Sequence, residues 1–246
     1  MRQFGLIGFP LTSSFSKKYF AEKFNRESIT GCSYENYPLN TISEFPGLIG
    51  ITPNLQGLNV TIPYKKEVMA YLHETSDAVQ QMNACNCIKI NNGRLKGFNT
   101  DVTGFENSFV PLIGPGHDKA LVLGTGGAAA AVEYVLNKLN IPFVSVSRTG
   151  TNPVLNYMGV DKAILSRYRI IINTTPLGMY PDIDTAPPIP YEYLTPDHYL
   201  YDLVYNPAET RFLQHGLKAG ATTKNGADML VIQAEESWKI WNDPAV

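Results

Sequence analysis

Three glycines, Gly124, Gly126 and Gly127, stand between a short apolar run and a segment whose apolar residues recur at helical spacing. Residues 120–123 therefore predict a buried strand, and residues 127–139 predict a helix. Without side chains, the turn lets an anion approach the unpaired N–H groups at the start of the helix, where the helix dipole favours negative charge. A tight turn needs glycine even without a ligand, but the strand before it and the helix after it favour a site for the diphosphate of a dinucleotide.

The residues after the next strand indicate which dinucleotide binds. Residues 142–147 predict the second strand of a β-α-β unit, and an NAD site has a carboxylate at the end of this strand that accepts from the ribose 2′-hydroxyl. The chain has Ser147, Arg148 and Thr149 at this place. A planar cation between two hydroxyls suits a 2′-phosphate. We therefore predict NADP as the cofactor; the alternative is that Arg148 is an ordinary solvated loop residue.

Three polar clusters follow predicted strands in the first hundred residues. Ser14 and Ser16 lie at a predicted helix start, where two hydroxyls and free N–H groups would hold a carboxylate; the alternative is that Ser16 only caps the helix. Asn59 and Thr61 lie on one face of the predicted strand 57–62, which Pro63 ends. Lys65 falls in the first turn of the helix that Pro63 is predicted to start. The helix dipole disfavours a cation there, which indicates a functional role unless Lys65 is merely exposed. Asp101 closes the third cluster, as a helix cap, a catalytic group or both.

The order of the predicted elements places these clusters. Residues 1–101 alternate strand and helix patterns, which predicts an α/β layer with a largely parallel sheet. Residues 102–225 contain the glycine turn and two further strands, 169–173 and 199–207. The loop 174–179 after the first of them could line the nicotinamide pocket. Polar residues lie at the carboxyl end of the second, where ligands bind in open α/β sheets. We expect a substrate-binding domain over 1–101, joined by the C-terminal helix 226–246, and a dinucleotide-binding domain over 102–225.

Composition narrows the class of protein. The chain has 246 residues, a formal net charge of −2 and 44% hydrophobic residues, which supports one large or two modest globular domains. Without a basic cluster we expect no nucleic-acid partner. Without a signal peptide or an apolar run of about 18 residues we expect no membrane segment. Cys32, Cys85 and Cys87 form no metal-binding pattern, and an odd number of cysteines suits reduced thiols in the cytoplasm.

Several motifs in sequence order resemble those of the shikimate dehydrogenase family, and together they cover essentially the whole chain. They are Ser14-Phe-Ser16, Gly57-Leu-Asn-Val-Thr-Ile-Pro-Tyr-Lys65, Asn83-Ala-Cys-Asn86, Gly97-Phe-Asn-Thr-Asp101, Gly124-Thr-Gly-Gly-Ala-Ala129, Ser147-Arg-Thr149, Asn173-Thr-Thr-Pro-Leu-Gly-Met179, Asp202-Leu-Val-Tyr-Asn-Pro207 and Asn225-Gly-Ala-Asp-Met-Leu-Val-Ile-Gln233. The resemblance implies an N-terminal α/β substrate domain, a Rossmann-type NADP-binding domain and a C-terminal helix that packs back toward the substrate domain. It also implies NADPH-dependent reversible reduction of 3-dehydroshikimate to shikimate in aromatic amino-acid biosynthesis, by a monomer or a homodimer.

The resemblance assigns roles to residues of this chain. Lys65 and Asp101 correspond to the catalytic pair, in which Lys65 is either a general base or a charge that stabilises the alkoxide. The substrate-binding residues would be Ser14, Ser16, Thr61, Lys65, Asn86, Asp101, Tyr205 and Gln233. The cofactor-binding residues would be Gly124, Thr125, Gly126, Gly127, Ala128, Ser147, Arg148, Thr149, Asn173, Thr174, Met179, Leu203 and Gly226. No metal is implied.

The chain departs from the family pattern at a few positions. Ser13 and Lys17 stand where His and Pro are frequent, Ser147 replaces a frequent Asn, and Thr151 and Asn152 stand where a further basic residue is common. The missing basic residue weakens the predicted 2′-phosphate clamp. Two alternatives therefore stay open: a quinate/shikimate dehydrogenase that uses NAD, and a non-catalytic NADP-sensing protein of the same fold. A folate dehydrogenase of similar two-domain shape is a third.

Overall fold

The computed structural model describes residues 1–11, 14–151 and 153–245, and in this part of the chain the first six strands form one mixed sheet. They are β1 (Arg2–Gly8), β2 (Cys32–Pro38), β3 (Leu55–Val60), β4 (Glu74–Thr75), β5 (Cys87–Asn91) and β6 (Arg94–Phe98), in the order β2-β1-β3-β5-β6-β4. β1 is parallel to β2 and β3, whereas β5 is antiparallel to β3 and β6. Ser13 and Asn152 lie outside the described residues.

The dipeptide Asn92-Gly93, which predicts a hairpin between residues 86–91 and 95–98, explains why this sheet is mixed. Asn92 and Gly93 join β5 to β6 and both have positive φ, 48° and 77°. A two-residue turn with positive φ at both residues matches the twist of two antiparallel strands, and it forms only where both residues tolerate positive φ. The hairpin is confirmed. It adds two antiparallel pairings to a sheet in which β1 with β2, β1 with β3 and β4 with β6 pair in parallel.

Helices connect and cover the strands of this sheet. They are α1 (Phe15–Arg26), α2 (Phe45–Ile51) and α3 (Asp77–Met82), with single 3₁₀ turns at Ile42–Glu44 and Glu67–Tyr71. The helix that we expected directly after Pro63 is wrong, because residues 62–66 form a turn. Proline presets φ for the second position of a turn as well as for the first position of a helix, so its presence did not separate the two.

One face of the first sheet is closed by the last helix, α8 (Ala227–Asn242). The Trp241 indole stacks on Phe4 with ring centroids 4.9 Å apart and donates from Nε1 to the Ile88 carbonyl at 3.0 Å. A Cβ at Gly57 would collide with the indole. The glycine in β3 is therefore what lets the indole lie against the sheet.

Gly57→Ala is expected to lower the free energy of unfolding by about 1–3 kcal/mol, because the added methyl group overpacks a site whose neighbour is a large ring. Urea unfolding followed by tryptophan fluorescence would measure this, since Trp241 and Trp238 are the two tryptophans of the chain. Gly47→Ala in α2 is the matched control, because its Cβ would meet nothing within 4 Å. Equal stability of Gly57→Ala and wild type would contradict the argument.

The second sheet is parallel throughout. Its strands are β7 (Ala120–Leu123), β8 (Phe143–Ser147), β9 (Leu155–Asn156), β10 (Ile170–Asn173), β11 (Tyr199–Asp202) and β12 (Thr222–Lys224), in the order β12-β11-β10-β7-β8-β9. Every residue of β7, β10 and β11 is buried. The strand order reverses between β7 and β10, and the crevice at the carboxyl ends of such a pair is where open α/β sheets bind ligands.

The helices around the second sheet complete its β-α-β units. They are α4 (Thr100–Phe109), α5 (Gly127–Lys138), α6 (Lys162–Arg167) and α7 (Arg211–Lys218). In α5 the apolar residues at helical spacing, Val132, Val135 and Leu136, are buried as the sequence predicts. Their stripe holds α5 against the sheet, so the start of the helix stays at the carboxyl end of β7.

The two sheets belong to two units of the chain. One unit comprises Met1–Asp101 and Gln233–Val246, and the other comprises Val102–Ile232. The division falls within α8, so that Gln233 belongs to the first unit. In the part of the chain that the structure describes, no helix has both the length and the apolar composition needed to cross a bilayer.

Candidate active site

A lysine that follows β3 and an aspartate that follows β6 form an ion pair in the first unit. The Nζ atom of Lys65 lies 2.6 Å from Oδ2 of Asp101, and the side chains are 22% and 17% exposed. Asp101 lies in the first turn of α4, where the helix dipole favours a carboxylate. An ammonium has three donors, so Lys65 can bind Asp101 and a ligand oxygen together.

The backbone around Lys65 is a turn and not a helix start. The expected conflict between this lysine and a helix dipole is therefore wrong. The Lys65 carbonyl accepts from the Cys85 N–H at 2.8 Å, which ties the turn to the segment before β5. Burial raises the pKa of the Cys85 thiol to about 12. Cys85 thus stays a neutral thiol beside the pair, and Lys65 and Asp101 are the charged groups there.

A buried polar cluster lies one residue from Asp101. The Thr100 N–H donates to Asn86 Oδ1 at 2.7 Å, and Asn86 Nδ2 donates to Thr100 Oγ1 at 3.1 Å. The Thr100 hydroxyl also lies 3.4 Å from Gln233 Oε1. The structure thus brings Asn86, Asp101 and Gln233 together from three elements, and the second N–H of Asn86 can serve a ligand oxygen.

Two further residues, Asn59 and Ser237, support this cluster and are not among the predicted site residues. Asn59 Nδ2 donates to Ser237 Oγ at 2.9 Å, and Ser237 Oγ donates to the Gln233 carbonyl at 2.9 Å. The Ser237 hydroxyl is also 3.2 Å from that of Thr100. One signal was available in the sequence: Ser237 is four residues after Gln233, so the two share a helix face.

The predicted carboxylate cradle lies at the start of α1. Ser14 is the N-cap of this helix, because its Oγ accepts from the Lys17 N–H at 3.1 Å. The expectation that Ser16 is the cap is wrong, since Ser16 lies inside the first turn and is half-buried. Thr61 follows β3, and its N–H donates to the Ile7 carbonyl at 2.9 Å. Because β1 and β3 are adjacent and parallel, α1 and Thr61 follow strands that end at the same edge of the sheet.

A cleft of about 780 Å³ opens in the second unit at the carboxyl ends of its strands. Six of the predicted cofactor residues line it: Gly124, Thr125, Gly126, Ser147, Arg148 and Thr174. Gly127 and Ala128 form the first turn of α5. The loop after β10, which the sequence predicts to line the nicotinamide pocket, contributes Thr175, Pro176 and Leu177. Sequence reasoning missed four other lining residues, namely Tyr157, Thr185, Ala186 and Pro188. The last three come from a Pro-rich loop that had no recognisable functional signal.

The three glycines of the turn between β7 and α5 differ in the physical reason for which glycine stands there. Gly124 has φ +110°, and its Cβ would lie 2.7 Å from the Thr174 hydroxyl. The fold itself therefore requires glycine at position 124, and the close approach of an anion is not needed to explain it. At Gly126 and Gly127 a Cβ would meet nothing within 4 Å. Gly126 caps α5 without a side-chain hydrogen bond, so the N-terminal N–H groups adjoin open space, which fits a diphosphate.

Arg148 is exposed at the end of β8. Among the described residues it has no carboxylate within ion-pair distance, while its carbonyl accepts from Asn156 Nδ2 at 2.7 Å. Ser147 Oγ accepts from the Gly150 N–H at 3.1 Å and lies 3.5 Å from the Thr149 hydroxyl. The loop is therefore held by its backbone and by Ser147, and the guanidinium can pair with a phosphate.

The remaining predicted residues lie outside the cleft lining. Asn173 is fully buried, and Met179 and Tyr205 are exposed. Leu203 and Gly226 contact each other, since a Cβ at Gly226 would collide with the Leu203 carbonyl. The Asn173 side chain is bonded within the protein, to Asp202 and to the Thr175 N–H of the cleft lining.

Comparison with known proteins shows which family this chain resembles. Residues 6–88 match the family model described as shikimate dehydrogenase substrate binding domain. A shikimate dehydrogenase (NADP(+)) of Methanococcus vannielii is 34% identical over 260 residues, covering 96% of this chain and 90% of that protein. A crystal structure of a shikimate dehydrogenase in complex with NADP⁺ has a TM-score of 0.88 and 32% identity, covering 98% of this chain and 90% of that one. The shikimate 5-dehydrogenase of Thermus thermophilus, in complex with NADP(H) and shikimate, has a TM-score of 0.86 and 28% identity, covering 98% and 94%.

Proposed function

Because the chain belongs to the shikimate dehydrogenase family, we propose that it catalyses the reversible, NADPH-dependent reduction of 3-dehydroshikimate to shikimate in aromatic amino-acid biosynthesis. The observation that carries the proposal is the ion pair of Lys65 and Asp101, with 2.6 Å between Nζ and Oδ2. An ammonium held by a carboxylate at the rim of a sheet is suited to a carbonyl that becomes an alcohol. The buried amides of Asn86 and Gln233 beside it are suited to ring hydroxyls.

The substrate is a ring that carries a carboxylate and hydroxyls, and the first unit offers a group for each. Ser14 and Ser16, with the N–H groups that begin α1, would hold the carboxylate. The Asn86 N–H and the Thr61 hydroxyl would bind ring oxygens. This division leaves the Lys65 ammonium for the oxygen at which the reaction occurs.

Proton transfer follows from the hydrogen bonds of Lys65. In the reduction direction the ketone oxygen gains negative charge, which a cation within hydrogen-bond distance stabilises. The ammonium then donates a proton to the alkoxide oxygen, which becomes the hydroxyl of shikimate, while Asp101 keeps the lysine side chain oriented. In the oxidation direction the same atoms take the proton from the substrate hydroxyl.

The second unit would hold the cofactor. Bound NADPH supplies the hydride. The N–H groups that begin α5 would hold its diphosphate, beside the open space at Gly126 and Gly127. Arg148, with Ser147 and Thr149, would bind the 2′-phosphate, and Thr174 would line the cleft further along.

The direct test is the loss of NADPH absorbance when 3-dehydroshikimate is added to the purified protein. We expect turnover with 3-dehydroshikimate, and oxidation of shikimate with NADP⁺ to exceed oxidation of quinate with NAD⁺ in kcat/KM. A preference for quinate with NAD⁺ would favour the quinate/shikimate alternative, which the absent second basic residue, Thr151 in this chain, keeps open. NADPH binding without any turnover would favour the non-catalytic alternative.

Arg148→Gln is expected to raise KM for NADP⁺ by about 10- to 100-fold, because it removes a charge-assisted contact worth about 1.5–3 kcal/mol. KM for NAD⁺ should change by less than about 3-fold, since NAD⁺ has no 2′-phosphate. Steady-state kinetics with both cofactors measures this. Arg167→Gln in α6 is the matched control, and equal effects of Arg148→Gln on both cofactors would overturn the assignment.

The proposal extends to the location of the protein and to its assembly as a monomer or a homodimer. The free thiols of Cys32, Cys85 and Cys87 support a cytoplasmic location, because thiols stay reduced there. The partner that we propose is the small-molecule substrate. Gel filtration with light scattering would distinguish the monomer from the homodimer.

A further inference from the structure

A buried carboxylate lies at the end of β11, and no cation among the described residues balances its charge. Asp202 is fully buried, and no Lys, Arg or His of the described residues forms an ion pair with it. Its three donors are neutral: Asn173 Nδ2 at 2.9 Å, the Val204 N–H at 3.0 Å and the Thr210 hydroxyl at 2.6 Å. Burial raises the pKa of Asp202 to about 6, and the three hydrogen bonds oppose this rise.

The two carboxylate oxygens serve different parts of the second unit. Oδ1 accepts from Asn173 and from the Val204 N–H, whereas Oδ2 accepts only from Thr210 among the described residues. Thr210 is the N-cap of α7, and its Oγ1 accepts from the Leu213 N–H at 3.3 Å. One oxygen therefore supports a helix cap, and the other supports the segments at the ends of β10 and β11.

The Asn173 side-chain amide connects Asp202 Oδ1 to the lining of the nucleotide cleft. Its Oδ1 accepts from the Thr175 N–H at 3.0 Å and from the Thr175 hydroxyl at 2.6 Å, and its Nδ2 also donates to the Leu177 carbonyl at 3.3 Å. These bonds shape the turn of residues 174–177, all of which line the cleft. An ionised carboxylate can only accept hydrogen bonds. Asp202 therefore fixes the orientation of the Asn173 amide, whose NH₂ group must face the carboxylate.

The contact to Val204 acts on a second segment. The Val204 carbonyl accepts from the Gly226 N–H at 3.2 Å, and Leu203 lies against Gly226. Leu203 and Gly226 are both predicted cofactor residues. The same carboxylate oxygen thus holds two backbone segments that would contact NADPH.

We infer that Asp202 is a positioning residue for the cofactor, acting through its Oδ1 on Asn173 and Val204. The inference rests on the proposed function, because it assigns the cleft to NADPH. Asp202 itself does not line the cleft, so its effect is on the geometry of the cleft and not on a direct contact.

The test is the Kd for NADPH, measured from the fluorescence of the bound nucleotide. Asp202→Ala is expected to raise Kd by about 5- to 100-fold, because it leaves two buried donors of the cofactor segments unpaired. Asp202→Asn keeps an acceptor at Oδ1 and is expected to restore Kd to within about 3-fold of wild type. At saturating NADPH, kcat should stay within about 3-fold for both variants, which separates a KM effect from a loss of folded protein.

Thr210→Val is the matched control. It removes the bond to Oδ2 and the cap of α7, and should lower the unfolding temperature while leaving Kd for NADPH within about 3-fold of wild type. If Asp202→Ala does not fold, Asn173→Ala replaces it with the same expected rise, because it removes the amide between the carboxylate and the turn.

Two results would overturn the inference. One is an unchanged Kd in Asp202→Ala, or in Asn173→Ala where that variant replaces it. The other is a rise in Kd for Thr210→Val as large as that for Asp202→Ala, which would mean that any destabilisation of the second unit weakens NADPH binding. A wild-type protein that binds no NADPH would instead refute the proposed function, so the two failures are distinguishable.

Discussion

Lys65→Ala is expected to lower kcat by about 10²- to 10⁴-fold, the usual contribution of a positioned acid or base, with a smaller change in KM for shikimate. The reason is that the ammonium, 2.6 Å from Asp101 Oδ2, is the cation proposed to meet the ketone oxygen. Stopped-flow or steady-state kinetics of shikimate oxidation would measure the loss. A smaller change in KM follows because several other groups share the binding of the ring.

Lys66→Ala is the matched control for this experiment. Lys66 is the next residue, it is exposed, and among the described residues it has no carboxylate within ion-pair distance. Its replacement should leave kcat within about 2-fold, as expected of a surface change. Near-normal turnover in Lys65→Ala would refute the catalytic assignment.

Lys65→Arg separates the two roles that stay open for the lysine. Arginine keeps the positive charge but cannot release a proton near neutrality. If Lys65 only stabilises charge, the arginine variant should recover a large part of the activity that alanine loses. If Lys65 transfers the proton, the arginine variant should be nearly as slow as the alanine variant.

Asp101→Asn has the second large expected effect, a decrease in kcat of about 10²-fold or more. The amide can accept one hydrogen bond from Lys65, but it lacks the charge that holds the ammonium in place. The Asp101 side chain is only 17% exposed, so little solvent is available to replace it. Asp77→Asn in the first turn of α3 is the matched control, because it changes an exposed carboxylate at a comparable helix position.

The double variant Lys65→Ala/Asp101→Asn tests whether the two residues act as a pair. Groups that act together are strongly non-additive, so the double variant should be about as slow as Lys65→Ala alone. A decrease in kcat of the double variant equal to the product of the two single decreases would show that Asp101 acts independently of Lys65. That result would contradict the mechanism that the ion pair suggests.

Local features of the fold were accessible from the sequence. The turn at Asn92 and Gly93 depends on positive φ at adjacent residues, and the start of α5 depends on glycine before an apolar helical stripe; both occur as expected. The turn that carries Lys65 was mistaken for a helix. Proline at position 63 is compatible with both structures, and only long-range bonds such as that from Cys85 to Lys65 select one of them.

The buried partners of the site were harder to predict from the sequence. The roles of Asp202, Ser237 and Asn59 were not predicted, because these roles come from groups that folding brings to them. Asn59 and Ser237 are 178 residues apart, and Asn173 and Asp202 are 29 apart. The Pro-rich loop that contributes Thr185 to the cleft is likewise defined by where it packs.

The sequence by itself determined the chemistry that this protein has available: glycines before a helix, an arginine where an NAD site has an acid, and the lysine and aspartate at strand ends. These follow from residue type and spacing over a few positions. The tertiary structure decided which of these groups meet. Lys65 and Asp101 are 36 residues apart in the chain and 2.6 Å apart in space, because the pairing of β3, β5 and β6 brings the ends of their segments together, which no local pattern specifies.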